Sequence, residues 1–566
     1  MRSLHKNIIT SSQKDSMADS PAVISELSLS QKIGQLLHVG IGLGHLETNA
    51  DWPSAEMRHV IEEIEPGAVR VYGNHAGTPH FMAQYTNQLQ EWAAETSHGL
   101  PLLISCDCEY GTVDVTGYGA QAYPSLMGRT ATGDRALAAD VSAAVARDMC
   151  SIGFNMNHQP VVDVNTNPDN PVIGVRSPGS DPKTVAEYAG ATLEGIHDQE
   201  QVAVAKHFPG HGDTELDSHE ELPHVRYDRE TLERVHLPPF EAMIDAGVDC
   251  IMTSHIVVDC IDAEQPATLS RPVLTGLLRE ELGFDGVVIT DAMMMDAIAD
   301  NYGVGEAAVQ AIEAGVDLVL TGFVSASDLR ATRDAILEAV DDGRLTEERV
   351  ETSVERILEL KEHYELTERR TSDPLAALEA VGSERHATLA VEAYERSLTL
   401  LDADNLVPIG GDSDVLLTGI RGVHALEPHL DERFGDVVSC SLAPGDARTL
   451  DDIKPETEPD SLETQLETLR SLSSSVDVAV VTTYSRERFS AAQREVVEAL
   501  AADLPVVVIS LGLPNEYDQL PEGVAYLATY LQDRLGMPAP VPDEISRAIV
   551  SALESGIEAR SEIPIQ

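Results

Sequence analysis

The chain has 566 residues, and its 95 Asp and Glu against 38 Lys and Arg leave a net charge of -57, spread along the length rather than gathered in a tail. So acidic a chain excludes a nucleic-acid binder, which needs a basic footprint. It predicts adaptation to molar salt, where a screening length of about 3 Å relieves self-repulsion.

With 43% hydrophobic residues the chain can build more than one ordinary core, so two domains are expected. Residues 1–21 lack the continuous apolar segment of a secretory signal and are expected to be a disordered extension. No apolar run approaches the roughly 18 to 20 residues needed to span a bilayer. A cytoplasmic protein with no membrane and no nucleic-acid partner, monomeric or homodimeric, is the expectation.

From residue 22 the sequence alternates short apolar runs with amphipathic stretches of helical period. The runs are "LLHVGIG", "GAVRVYG", "PLLISCD", "PVVDV", "VAVAKHF", "CIMTSH", "GVVITDA" and "VDLVLTG". Between them lie segments such as "PHFMAQYTNQLQEWAAE" and "KTVAEYAGATLEGIHDQ". About eight strands that are apolar on both faces, each followed by a helix, predict a (β/α)8 TIM-like barrel over residues 22–365; an open doubly wound sheet is the alternative. A charged stretch with Pro374 (366–389) reads as a linker. A second series, from "SLTLLDA" to "GVAYLATY", predicts a C-terminal α/β sandwich domain over 390–566. No glycine-rich phosphate loop follows any strand. The six cysteines form no disulfide framework, and Cys106 and Cys108 are too close in sequence for the usual zinc patterns.

Six polar residues fall where apolar runs stop: Asp107, Asp163, Lys206, His207, His255 and Asp291. In a barrel those ends meet on one rim and can surround one ligand, whereas isolated helix caps would not converge. The fifth run leads into "KHFPGHGDTELDSH" (206–219), whose proline and glycines rule out a helix. Three readings compete for this loop. His207, His211 and His219 with Asp213 or Asp217 could hold a metal. The loop could be purely structural. Or Asp217 could accept the N–H of His219, fix its tautomer and leave the other nitrogen free for proton transfer.

"KHFPGHGDTELDSHEELP", "VDCIMTSHIVVD", "GFDGVVITDAMMMDAI" and "DVNTNPDNPVIGVRSPGSDP" resemble the β-N-acetylglucosaminidase branch of family 3 glycoside hydrolases. The resemblance extends to "LSLSQKIGQLLHVG" at the start of the barrel and to "ERSLTLLDADNLVPI" and "LPVVVISLGLPNEYDQLP" in the second domain. It implies a retaining enzyme that removes terminal N-acetylhexosamine from a carbohydrate, without cofactor or metal. Position by position it makes Asp291 the nucleophile, His219 the general acid/base and Asp217 its orienting partner. It assigns Asp107, Arg176, Lys206 and His207 to the sugar; His255 is added as a rim residue expected to line the pocket, with a structural role as the alternative.

An N-acetylglucosaminide phosphorylase, a β-glucosidase and a non-catalytic carbohydrate-binding protein are the alternatives on the same scaffold. The sequence departs from the branch after the third strand. "DCEYGTVDVTGYGA" has Tyr110 in place of a glycine and no Arg or Lys before Arg129, which leaves an arginine contact unfilled there. Pro178 stands where an aromatic is common. Tyr110, Tyr118 or Tyr123 could stack on a sugar or pack the loop. Met293, Met294 and Met295, consecutive and so pointing in different directions, read as packing rather than a soft-metal site.

Overall fold

The computed structural model describes residues 20–40, 55–71, 77–111, 116, 119–218, 222–323, 325–402, 405–442, 461–484, 489–531 and 541–560. The stretch 1–21 falls almost wholly outside these residues, and the first described helix is Ser20–Glu26. No helix among the described residues is long and apolar enough to cross a membrane.

Eight short parallel strands form the first sheet: β1 (Leu37–Gly40), β2 (Ala68–Arg70), β3 (Leu103–Cys106), β4 (Met156–Asn157), β5 (Val202–Phe208), β6 (Cys250–Thr253), β7 (Val287–Ile289) and β8 (Val319–Phe323). Their order is β8-β1-β2-β3-β4-β5-β6-β7, and a parallel bridge between Ile289 and Leu318 brings β7 against β8 to close the ring. From β1 to β7 every strand residue is buried, which is why the runs read as continuously apolar rather than alternating.

Helices wrap the outside, and their starts are legible in the sequence. Thr78 accepts from Phe81 N (3.3 Å) ahead of helix Pro79–Ala94, Asp134 from Ala136 N (2.9 Å) ahead of Arg135–Ser151, and Asp181 from Thr184 N (2.9 Å) ahead of Pro182–His197. Each such cap contributes about 1 kcal/mol.

One strand differs from its expectation. "PVVDV" (160–164) is not the fourth strand; β4 is the two-residue Met156–Asn157 just before it. The chain runs beside β5 in two pieces, with Val204 N donating to Gln159 O (2.8 Å) and Val162 N to Lys206 O (2.7 Å). Pro160 has no N–H to give the ladder, so the pairing breaks there and only Val161 bridges to Lys206. A ribbon of His224–Val225 with Val257–Val258 ties the long loop after β5 to the loop after β6.

The stretch read as a linker is ordered. It contains helix Pro374–Ala380, and Asn87 on helix Pro79–Ala94 exchanges two 2.8 Å hydrogen bonds with the backbone of Ser372.

The second sheet has six strands: β9 (Thr399–Leu401), β10 (Val415–Gly419), β11 (Val437–Ser441), β12 (Val478–Thr483), β13 (Val506–Ser510) and β14 (Ala525–Ala528). Their order is β9-β14-β13-β12-β10-β11, parallel except for β9. Apolar clusters cover both faces, and one of them includes Met127, Ala131 and Val175 of the barrel beside Leu416, Leu513 and Tyr530 of the second domain. Ser125 Oγ donates to Tyr530 O at 2.7 Å across the same junction.

Candidate active site

All six strand-end polar residues lie on the rim at the carboxyl ends of the barrel strands, the end at which ligands bind in this architecture. Asp107 follows β3, Lys206 and His207 are among the last three residues of β5, and Asp291 follows β7 by two residues. Arg176 arrives from a 3-10 turn, Gly174–Arg176. That turn is held from behind by the second domain: Asn515 Nδ2 donates to Pro168 O (3.3 Å), and a Cβ on Gly174 would stand 3.2 Å from Leu513.

These side chains form a chain of alternating charge. The Arg70 guanidinium meets Asp107 Oδ2. Lys206 Nζ bridges Asp107 Oδ1 (2.7 Å) and Glu109 Oε1 (2.8 Å). Arg176 then grips Glu109 with two parallel bonds, Nη2 to Oε1 at 2.8 Å and Nε to Oε2 at 2.9 Å. None of the five side chains is more than 10% exposed.

Burial alone would push the Asp107 carboxyl up; the Arg70 and Lys206 charges outweigh it and hold the group well below the usual carboxylate range. In the same way burial opposes, and Arg176 with Lys206 overcome, so that Glu109 is lowered to about 2. Both are therefore anions at neutral pH, able to accept from hydroxyl groups of a ligand.

The β5 loop is organised by Asp163, which is fully buried. Its Oδ2 lies 2.7 Å from His207 Nδ1, and its Oδ1 accepts the backbone N–H of His211 (2.7 Å) and of His207 (3.2 Å). His211 has Thr214 Oγ1 at 2.9 Å from one ring nitrogen and Ser218 Oγ at 3.0 Å from the other. Burial, and then the nearby His207, push it down to about 4, so it is neutral at pH 7. Its two ring nitrogens serve the loop, which argues against the metal reading of this histidine. Among the described residues no group of His, Cys, Asp and Glu is arranged to hold a metal ion. Asp217 is half-buried next to buried Ser218, while His219 lies outside the described residues.

Asp291 is half-buried, in contrast to the buried Asp163. Its Oδ1 accepts from Ala292 N at 2.7 Å, and its charge is near enough to favour the protonated form of His211 on the β5 loop, against the larger effect of burial. His255 is completely buried, with Nε2 3.1 Å from Ala292 O and Nδ1 2.8 Å from Thr268 Oγ1. A carbonyl can only accept, so Nε2–H holds the turn that carries Asp291. The structure thus gives His255 a hold on the turn that carries Asp291.

Tyr123 is buried and packs the β3 loop, Tyr110 is half-buried, and Tyr118 lies outside the described residues. Met293 and Met295 are in the core and Met294 is partly exposed.

Sequence reasoning missed Arg70 and His158. A charged residue inside the apolar run "GAVRVYG" was the available signal, since arginine is almost never buried without a partner. His158 sits just past β4 with Nδ1 3.5 Å from Asp107 Oδ1. Arg129, the first basic residue after Asp107 in the chain, does not reach it. Its guanidinium donates to the carbonyls of Glu109 (2.8 Å) and Pro124 (3.0 Å) and supports the loop instead.

The family model "Glycosyl hydrolase family 3 N terminal domain" matches residues 28–360. A beta-hexosaminidase A of Pseudoalteromonas piscicida is 31% identical over 402 residues, 67% of this chain; the chain spans 65% of that protein's length. A beta-hexosaminidase of Mycobacterium tuberculosis is 32% identical over 360 residues, covering 61% of this chain and 86% of the relative. Among solved structures, a family 3 beta-N-acetylglucosaminidase from Paenibacillus sp. superposes with a TM-score of 0.80 at 33% identity, over 95% of this chain and 98% of that one.

Proposed function

The chain belongs to glycosyl hydrolase family 3, and from that premise we propose that it is an exo-acting, retaining β-N-acetylglucosaminidase. The observation that carries the proposal is the position of Asp291. The half-buried carboxylate stands on the rim shared by the buried Arg70–Asp107–Lys206–Glu109–Arg176 chain, and its charge reaches His211 of the β5 loop.

In this reading ionised Asp291 attacks the anomeric carbon while His219 gives its proton to the departing oxygen. The glycosidic bond breaks and an ester to Asp291 forms. The imidazole, now neutral and oriented by Asp217, takes a proton from water, which opens the ester and frees Asp291. Asp107, Arg176, Lys206 and His207 hold the terminal sugar, and His255 steadies the Asp291 turn. The names of the matched relatives support an N-acetylhexosamine at that position.

The test is product analysis on 4-nitrophenyl β-N-acetylglucosaminide and β-glucoside, each with and without phosphate. The proposal expects hydrolysis of the first, phosphate independence and the β-anomer as the first product seen by NMR. Sugar 1-phosphate as the dominant product would make the enzyme a phosphorylase. Preference for the glucoside would make it a β-glucosidase, and no turnover at all a binding protein. His219→Ala should lose most activity on substrates with poor leaving groups and least on activated aryl glycosides; equal losses contradict acid catalysis by that residue.

A further inference from the structure

We propose that Arg70 is a positioning residue of the sugar subsite: reaching from β2, it fixes one oxygen of Asp107 while Lys206 fixes the other, and so supplies the cation that the loop after β3 lacks. The inference rests on the reading that Asp107 binds the terminal sugar.

Three observations support it. First, Arg70 is 7% exposed at the end of a strand whose other residues are apolar, and burying a guanidinium costs several kcal/mol unless it is paired. The pairing is with Asp107 Oδ2, on the side away from Lys206 Nζ, which takes Oδ1 at 2.7 Å. Second, the basic residue that follows Asp107 in sequence is unavailable, because Arg129 holds backbone carbonyls of the loop.

Third, the other groups facing Asp107 do not replace the charge of Arg70. His38 on β1 lies 2.8 Å from Ser105 Oγ and edge-on to His158, with ring centroids 5.5 Å apart. Burial drives His38 well below the ordinary histidine value and lowers His158 as well, so both are neutral at pH 7. Glu109 is an anion whose charge is met by Arg176 and Lys206, and His207 is turned to Asp163. The Asp107 carboxylate is therefore oriented by two cations on two different strands.

A residue that acts through Asp107 must lose its effect when Asp107 is changed. The experiment is a double-mutant cycle of Arg70→Met and Asp107→Asn in molar salt, on whichever aryl glycoside the wild type turns over fastest. A different sugar preference then alters the proposed substrate and not this result. Arg70→Met should lower kcat/KM about 10²-fold, and the double variant should match Asp107→Asn within about twofold. The acid limb of the kcat/KM profile should move up in Arg70→Met, and Arg70→Lys should return it toward the wild-type position.

Additive losses, or an acid limb unmoved in Arg70→Met, would overturn the inference. If Arg70→Met does not fold, the cycle is read with Arg70→Lys, which keeps the charge without the planar fork. Its loss, about tenfold, should vanish in the Asp107→Asn background, and persistence of that loss would overturn the inference equally. Asp107→Asn with wild-type kcat/KM would contradict the assigned sugar site itself, and that result is distinguishable from failure of the Arg70 coupling alone.

Discussion

Among the described residues the barrel carries, at each end, a cluster of arginine around a buried carboxylate. At the carboxyl end, Asp107 and Glu109 lie among Arg70, Lys206 and Arg176. At the opposite end Asp317, two residues before β8 and completely buried, meets Arg279 at 2.6 Å, Arg356 at 3.1 Å and Arg349 at 3.5 Å. It also accepts from Ser353 Oγ (2.8 Å) and Val288 N (3.0 Å). Both pair carboxylate with arginine, but their surroundings differ. The Asp317 arginines also donate to backbone carbonyls, Arg279 to Phe284 O and Gly286 O and Arg349 to Val316 O, and so lock the outer helices onto strand starts. The Asp107 cluster instead shares its rim with half-buried Asp291. A buried ion cluster does not by itself mark a site; the end of the barrel on which it stands does.

Substitutions at the two ends should therefore separate activity from stability. Asp291→Ala should lower kcat by about 10⁴-fold or more with no change in melting temperature. Asp317→Asn should do the reverse, costing about 3 to 5 kcal/mol of stability in denaturant titration, while the folded fraction keeps wild-type kcat. A matching loss of activity there would break the distinction between the two ends.

Glu109→Gln should reduce kcat/KM by about 10²-fold through its release of Arg176 and Lys206. It should also change the acid response. The folded-state value of Glu109 lies below the ordinary one, so its stabilisation is present above pH about 4.5 and lost as pH falls toward about 2. Over that window the variant should lose stability less steeply than the wild type. The smallest effect is expected from salt, which acts on the exposed acidic surface and is screened from both buried clusters. Melting temperature should rise from dilute buffer to molar KCl, and the two barrel-end variants should rise in parallel with the wild type.

Much of the fold is legible in the sequence because the barrel strands are buried on both faces and the helices begin at Asp, Ser and Thr caps. The fourth strand is not, since its two residues, Met156 and Asn157, are too few to show a pattern and the apolar run beside them is interrupted by Pro160. Strand-end residues such as Asp107, Lys206 and Asp291 stand out as polar breaks in apolar runs. Their partners do not: Arg70 meets Asp107 across 37 positions and Lys206 meets it across 99, separations that only the side-by-side pairing of the barrel strands spans. His255 could be placed on the rim from sequence, but its bond to the Asp291 turn depends on the carbonyl of Ala292.

The central claim is that Asp291 forms a bond to the sugar while the charged chain at the same rim holds it. Incubation with a fluorinated N-acetylglucosaminide that is turned over slowly, followed by peptide mass mapping, tests this most directly. The account predicts one glycosyl label per chain, on the peptide containing Asp291. A label on any other carboxylate, or inactivation with no covalent label, would contradict it.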